Sequence, residues 1–257
     1  MSQFDNFKDL HHQNELFVLP NVWDARSAII FQEKEFPAIG TSSAAVANSL
    51  GYEDGEQMPL SEYLFVIKRI ISSVKIPLTV DFEMGYGKTN DDIFDNITKL
   101  INLGVAGINI EDSTIQNSKR VLKDARTFGN TVEHVKNKLA SRNQKLFINI
   151  RCDTYILNLD NKHEETVSRL KIYNSTGADG IFLPCITNEE DIRNAVANTP
   201  LPLNVMSIGG LPTLEILNGL GVKRVSMGPF MFQKVYKSIG NLSQAIKTNK
   251  SVAPILE

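Results

Sequence analysis

The chain has 257 residues, 42% of them hydrophobic, with 27 Lys and Arg against 29 Asp and Glu. A formal net charge of -2 excludes general electrostatic attraction to nucleic acid or an anionic membrane, and no apolar run approaches the roughly 20 residues that a spanning helix needs. Two cysteines, Cys152 and Cys185, speak against a disulfide framework and fit a reducing cytoplasm, and the segment from Met1 to Asn14 is too polar for a secretory signal.

Short β-rich apolar runs alternate with amphipathic stretches along the whole chain. Strands are predicted at Phe17–Leu19, Ala38–Gly40, Leu78–Val80, Gly107–Ile110, Leu146–Ile150, Gly180–Leu183, Leu203–Val205 and Val225–Met227. Helices are predicted near 25–35, 60–73, 90–103, 131–142, 163–176, 188–198, 212–220 and 230–247. In the third of these, Ile93, Ile97, Leu100 and Ile101 fall on one stripe at helical spacing, Thr89, Asn90 and Asp91 are candidate caps, and Gly104 ends the run. Weakly repeated units open at Gly104, Gly177 and Gly221, each a glycine that can close a helix shortly before a buried strand. Such turns belong to a parallel sheet covered on both faces.

Eight strand–helix pairs in roughly 250 residues predict an α/β fold of the (β/α)8 TIM-barrel type, with residues 1–257 as one domain. An open doubly wound sheet is the alternative, but its first turn would be glycine-rich, and here it reads Pro20-Asn21-Val22-Trp23-Asp24. The stretch Ser113–Phe128 is longer and more polar than the other connections and is expected to be a mobile loop over the site.

A barrel carries its chemistry at the C-terminal ends of its strands. Thr41, Ser42 and Ser43 follow the second predicted strand, Asp81-Phe82-Glu83 the third, Glu111-Asp112 the fourth, and Arg151-Cys152-Asp153 the fifth; Asn204 and Ser207 flank the seventh. Residues two apart on extended chain share a face, so Asp81 and Glu83 pair, as do Asn109 and Glu111, and Asn149, Arg151 and Asp153. Each piece alone has a plain structural reading as a helix cap or an ion pair. Together they aim Asp81, Glu83 and Glu111 at one mouth, where crowded carboxylates need a cation or bound protons. Mg²⁺ suits them, because it takes one or two carboxylates and keeps several waters; Mn²⁺ is the alternative, and paired His or Cys ligands for zinc do not occur. Arg151 is the matching anchor for a substrate carboxylate or phosphonate.

These motifs resemble the isocitrate lyase/phosphoenolpyruvate mutase superfamily. Asp81-Phe-Glu-Met-Gly-Tyr-Gly is similar to its Asp-x-[Asp/Glu]-x-Gly-Tyr-Gly signature, Gly107-Ile-Asn-Ile-Glu-Asp to its fourth-strand Gly-x-x-x-Glu-Asp, and Ile148-Asn-Ile-Arg-Cys-Asp to its Ile-Asn-Ala-Arg-Thr-Asp. Asn21-Val-Trp-Asp-Ala-Arg-Ser-Ala and Gly40-Thr-Ser-Ser-Ala-Ala extend the resemblance, which runs from about Leu16 to Met231. It implies a barrel whose last helix is exchanged between subunits of a homodimer or homotetramer. It implies a metal at Asp81, Glu83 and Glu111, and catalytic roles for Arg151, Asp54 and Glu111. Ser42, Ser43, Ala44, Asn109, Arg151 and Asn204 are then the substrate contacts, and the substrate is a small α-oxo or 2-hydroxy carboxylate whose C–C or P–C bond reacts through an enolate.

Two departures accompany the resemblance. The lyases carry a Lys-Lys-Cys-Gly-His loop after the fourth strand, and the phosphonomutases a Lys-x-x-x-Lys-x-Asn loop; here the loop reads Ser113-Thr-Ile-Gln-Asn-Ser-Lys-Arg, in which Lys119 is a partial substitute. A histidine after the sixth strand is replaced by Pro184-Cys185. An oxaloacetate-type decarboxylase or lyase is the first reading. A non-catalytic α-keto acid binding protein, a phosphonopyruvate/phosphoenolpyruvate mutase-type activity, and a phosphate-binding barrel using the Ser207–Gly210 turn are the alternatives.

Overall fold

A computed structural model describes residues 2–256; Met1 and Glu257, the outer bounds of the expected domain, lie outside the described residues. The parallel strands are β1 (Phe17–Leu19), β2 (Asn21–Val22), β3 (Ile39–Thr41), β4 (Leu78–Asp81), β5 (Gly107–Glu111), β8 (Phe147–Arg151), β9 (Gly180–Leu183), β10 (Leu203–Met206) and β11 (Val222–Ser226). Between β5 and β8 lies a separate antiparallel pair, β6 (Ser113–Gln116) and β7 (Lys119–Leu122). The sheet order β1-β11-β10-β9-β8-β5-β4-β3-β2 begins and ends on consecutive pieces of chain. β1 and β2 flank Pro20, which has no N–H to donate; β1 pairs with β11, β2 with β3, and the Pro20 carbonyl accepts from Gly40 N–H at 2.9 Å. The nine strands therefore fill eight positions of a nearly closed TIM barrel.

The helices are α1 (Gln3–Leu10), α2 (Ala25–Glu33), α3 (Ser43–Ser49), α4 (Leu60–Ile71), α5 (Asn90–Leu103), α6 (Ala125–Ser141), α7 (Lys162–Tyr173), α8 (Glu189–Ala197), α9 (Leu214–Gly219) and α10 (Phe230–Asn249). α5 forms where its stripe predicts: Thr89 caps it in a reciprocal box with Asp92, and Gly104 ends it at φ 93°. The outward faces of the strands, among them Ile108, Ile110, Ile148 and Ile150, pack under the helices as one continuous core.

Three expectations are corrected. The stretch Ser113–Phe128 is a hairpin followed by the first turn of α6, because β-forming residues flank an Asn117-Ser118 turn in which both residues take positive φ, 49° and 60°. The last strand begins at Val222, three residues before the predicted start. Two helices, α1 and α3, were not predicted; both are short, 8 and 7 residues, and give little periodic signal.

α1 has a structural task. Phe7 is fully buried with Leu19 and with Phe17, Ala38, Ala106 and Phe147, four residues that begin or immediately precede barrel strands, so α1 closes the end opposite the mouth. Phe7→Ala is expected to lower stability by about 3–5 kcal/mol, measured by denaturant unfolding; a loss under about 1 kcal/mol would show that α1 does not seal the barrel.

Candidate active site

The sheet register sets the neighbours at the mouth. Asp81 lies beside Asn109 across β4 and β5, Asn109 beside Asn149, and Glu111 beside Arg151 across β5 and β8. A cavity of about 160 Å³ opens above them, lined by Asn21, Ser42–Ala44, Asp54, Asp81, Asn109 and Arg151 on its polar side. Ile156, Phe182, Pro184 and Met206 form its apolar wall. Ser42 caps α3 through Ala45 N–H, so Ser43 and Ala44 begin a helix whose first amides have no partner within it.

The carboxylates are held in different ways. Asp81 ends β4 and accepts from the Ser43 hydroxyl at 2.9 Å and the Asn109 amide at 3.4 Å. Asp54 is 3.1 Å from the same hydroxyl. One hydroxyl proton cannot satisfy both, and loss of water followed by the charge of Asp81 raises the Asp54 carboxyl above its usual range.

Glu83 does not share a face with Asp81. β4 stops at Asp81 and Glu83 adopts a left-handed turn, φ 48°, so strand alternation no longer applies. Its buried carboxylate turns to the Gly55 and Glu56 amides, both at 2.8 Å, and to the Tyr86 hydroxyl at 2.6 Å. Burial and then the charge of Asp54 push it up to about 8.

Glu111 has no solvent exposure and lies between two guanidinium groups. Arg151 Nη1 is 2.9 Å from one oxygen, and Arg120 Nη1 bonds the other. Burial still dominates and raises Glu111 to about 7, against the pull of Arg151. Arg151 also grips Asp153 through Nε at 2.7 Å and stands 3.9 Å from Asp81. Asp112 accepts from Asp153 N–H at 2.9 Å, from Tyr173 at 2.8 Å and from Arg169 at 3.1 Å; Arg169 also donates to the Lys123 carbonyl, anchoring the end of the hairpin.

Among the described residues, no three His, Cys, Asp or Glu side chains are gathered as a preformed metal cage. The open pair is Asp81 with Asp54, which share one hydroxyl and no cationic partner closer than Arg151. A hard cation that keeps most of its waters suits such a pair, whereas the oxygens of Glu83 and Glu111 are engaged.

A family model described as phosphoenolpyruvate phosphomutase matches residues 7–247. The chain belongs to this family. It is thus a lyase or phosphonomutase-like enzyme of the isocitrate lyase/phosphoenolpyruvate mutase superfamily. An uncharacterised protein of Mycobacterium tuberculosis is 32% identical over 247 residues, 96% of this chain and 91% of that one. Oxaloacetate decarboxylase 1 of Pseudomonas fluorescens is 27% identical over 208 residues, 79% of this chain and 70% of that one. The crystal structure of a candidate phosphonomutase from Burkholderia cenocepacia superposes with a TM-score of 0.88 at 31% identity, covering 95% and 98% of the two chains.

Within that family frame, the structure adds residues that the motifs did not single out. Arg120, not the exposed Lys119, turns inward from the hairpin to reach Glu111, Ser113 and Asp153. The Asn-Ser turn between two β-rich runs was the signal for it. Cys152 is fully buried, as a packing residue should be, and half-buried Cys185 does not line the cavity. Asn204 is buried one layer below, bonded to Asn149 at 2.6 Å.

A pH dependence follows. Free Glu titrates at about 4.3, so from about pH 5 the native chain holds protons that the unfolded chain has lost, on Glu111 up to about pH 7 and on Glu83 up to about pH 8. Stability therefore falls as pH rises through that window, by up to about 1.4 kcal/mol per unit for each group. Melting temperatures in chelator-treated buffer should decline across this range, and Glu83→Gln should flatten the decline; a rising native profile would contradict it.

Proposed function

We propose that this enzyme is a Mg²⁺-dependent decarboxylase or C–C lyase of a small α-oxo acid, acting through an enolate. The observation that carries the reading is the cavity itself: Asp81, Arg151 and the first amides of α3 converge on it, and neither cysteine nor histidine lines it. The cavity is small, about 160 Å³, a scale suited to a small acid.

The residues divide the work by position. The Ser43 and Ala44 amides and Arg151 would hold the substrate carboxylate and oxo oxygen. Asp81 and Asp54 would hold Mg²⁺, or Mn²⁺, with Glu83 and Glu111 buried behind them. The bound cation supplies Lewis-acid stabilisation of negative charge on the oxo oxygen. In decarboxylation the bond to the departing carboxylate breaks, its electron pair forms the enolate, CO2 leaves, and water returns a proton to carbon. Arg151 and the α3 amides would be the donors to the oxygen where that charge collects. The step needs no acid for a leaving alkoxide, and no cysteine is required in the loop. A decarboxylase is among the relatives, as are phosphonomutases; the loop that lacks a cysteine is what favours decarboxylation in this reading.

Assembly is part of the proposal. α10 buries Phe232 but exposes Val235, Ile239 and Leu242, a face that suits exchange with another subunit of a homodimer or homotetramer. A cytoplasmic location fits the two free cysteines, and no helix among the described residues is long and apolar enough to cross a membrane.

Purified protein should turn over oxaloacetate in Mg²⁺ and lose activity with chelator, with phosphonopyruvate and 2-methylisocitrate as comparisons. Asp81→Asn and Arg151→Met should each lower kcat/KM by roughly 10²–10³. Metal-dependent oxalate binding without turnover of any of the three would instead identify a binding protein.

A further inference from the structure

The barrel interior holds a cation that none of the roles above uses. Arg224, on β11, is 1% exposed and heads the fully buried side chains by volume. Among the described residues it forms no ion pair. Its Nη1 is 3.3 Å from His11 Nε2, its Nη2 donates to Asn109 Oδ1 at 3.0 Å, and its Nε has no hydrogen-bond partner. His11 Nδ1 lies 2.8 Å from the Phe7 carbonyl, so Nδ1 carries the proton and Nε2 presents its lone pair to Arg224. Burial, then the charge of Arg224, hold His11 well below its ordinary pKa, as a neutral acceptor. Burial also lowers Arg224 to about 9, which leaves it charged at neutral pH.

An unpaired guanidinium in a barrel core is expensive, and an apolar side chain of similar volume is the cheaper filler. What Arg224 touches suggests what it does. Asn109 Oδ1 accepts from both Arg224 Nη2 and, at 2.9 Å, Asn149 Nδ2. Two donors on one carbonyl leave a single orientation for the amide, with its NH2 toward Asp81 and the cavity that Asn109 lines. Asn204 fixes Asn149 in turn, and Gly180 makes room, since a Cβ there would stand 2.7 Å from Asn149 Oδ1.

We infer that Arg224 is a positioning residue of the anion site: it locks the Asn109 amide with its donor face to the cavity and sets a positive charge beneath the bound α-oxo acid. The cation acts through Asn109 and does not touch the ligand. The inference rests on the cavity being an α-oxo acid site, and its test separates the two ideas.

Arg224→Met and Arg224→Lys would be compared with the native chain by calorimetry with oxalate and Mg²⁺, by Mn²⁺ binding followed by electron paramagnetic resonance, and by NMR of side-chain amides. With Arg224→Met, oxalate affinity should fall roughly tenfold, the order expected of one charge acting through a partly polar medium. Mn²⁺ should bind more tightly, because a repelling charge is gone. Arg224→Lys keeps the charge and should recover most of the oxalate affinity; it also serves if Arg224→Met does not fold. A role in packing alone would weaken both ligands together. The Asn109 amide resonance, identified by its absence in Asn109→Ala, should shift in both Arg224 variants, and this measurement needs no ligand. An unmoved resonance, unchanged oxalate affinity, or parallel loss of oxalate and Mn²⁺ binding would overturn the assignment. Failure of the native chain to bind oxalate while the resonance still shifts would remove the α-oxo acid reading and the proposed charge effect, leaving only the amide lock.

Discussion

Everything at the mouth of this barrel answers to the cost of taking carboxylates out of water. Glu111 has no exposure, and it lies between Arg120 and Arg151. Arg151 comes from the neighbouring strand, placed opposite Glu111 by parallel register. Arg120 comes from the hairpin, placed by a tight turn that twists its two short strands. The hairpin is therefore tied into the site by charge, and the Asp112–Arg169–Tyr173 cluster holds the chain at its end. Asp81 is left with Arg151 at 3.9 Å, and Asp54 forms no ion pair among the described residues.

The same balance organises the layer below. Outward positions of the strands are isoleucines and valines packed under helices, while the inward positions of β5, β8, β10 and β11 carry Asn109, Asn149, Asn204 and Arg224. A polar barrel core is costly wherever a donor or acceptor goes unmatched: the three asparagine amides and the guanidinium bond one another, while Arg224 Nε and Asn204 Oδ1 have no hydrogen-bond partner among the described residues. α1 closes this layer from below with Phe7 and His11, so the helix that seals the barrel also supplies the acceptor for Arg224. Scaffold and site meet in these few side chains.

Legibility followed the length of the signal. α5 could be read nearly to the residue, because a long apolar stripe, a capping box and a terminal glycine all agree. The hairpin could not, since two four-residue strands with polar sides look like a loop when polarity alone is weighed. The site motifs place Asp81, Arg151 and Asn109 at one barrel mouth, and the three line one cavity. They misjudged the direction of Glu83, because alternation assumes extended chain and the strand ends two residues earlier. Arg120 and Arg224 carry no local signal, because an arginine in sequence looks solvated until its surroundings are known.

The sequence by itself determined the periodicity, and with it the parallel barrel and the strand ends where reactive side chains collect. Strand and helix periods are local properties, written within a few consecutive residues. Only the tertiary structure decided which carboxylates are neutralised and which are open. That outcome depends on Coulomb partners and water loss between residues far apart in the chain, such as Arg151 with Glu111 and Arg120 with Asp153, and no local pattern encodes those distances.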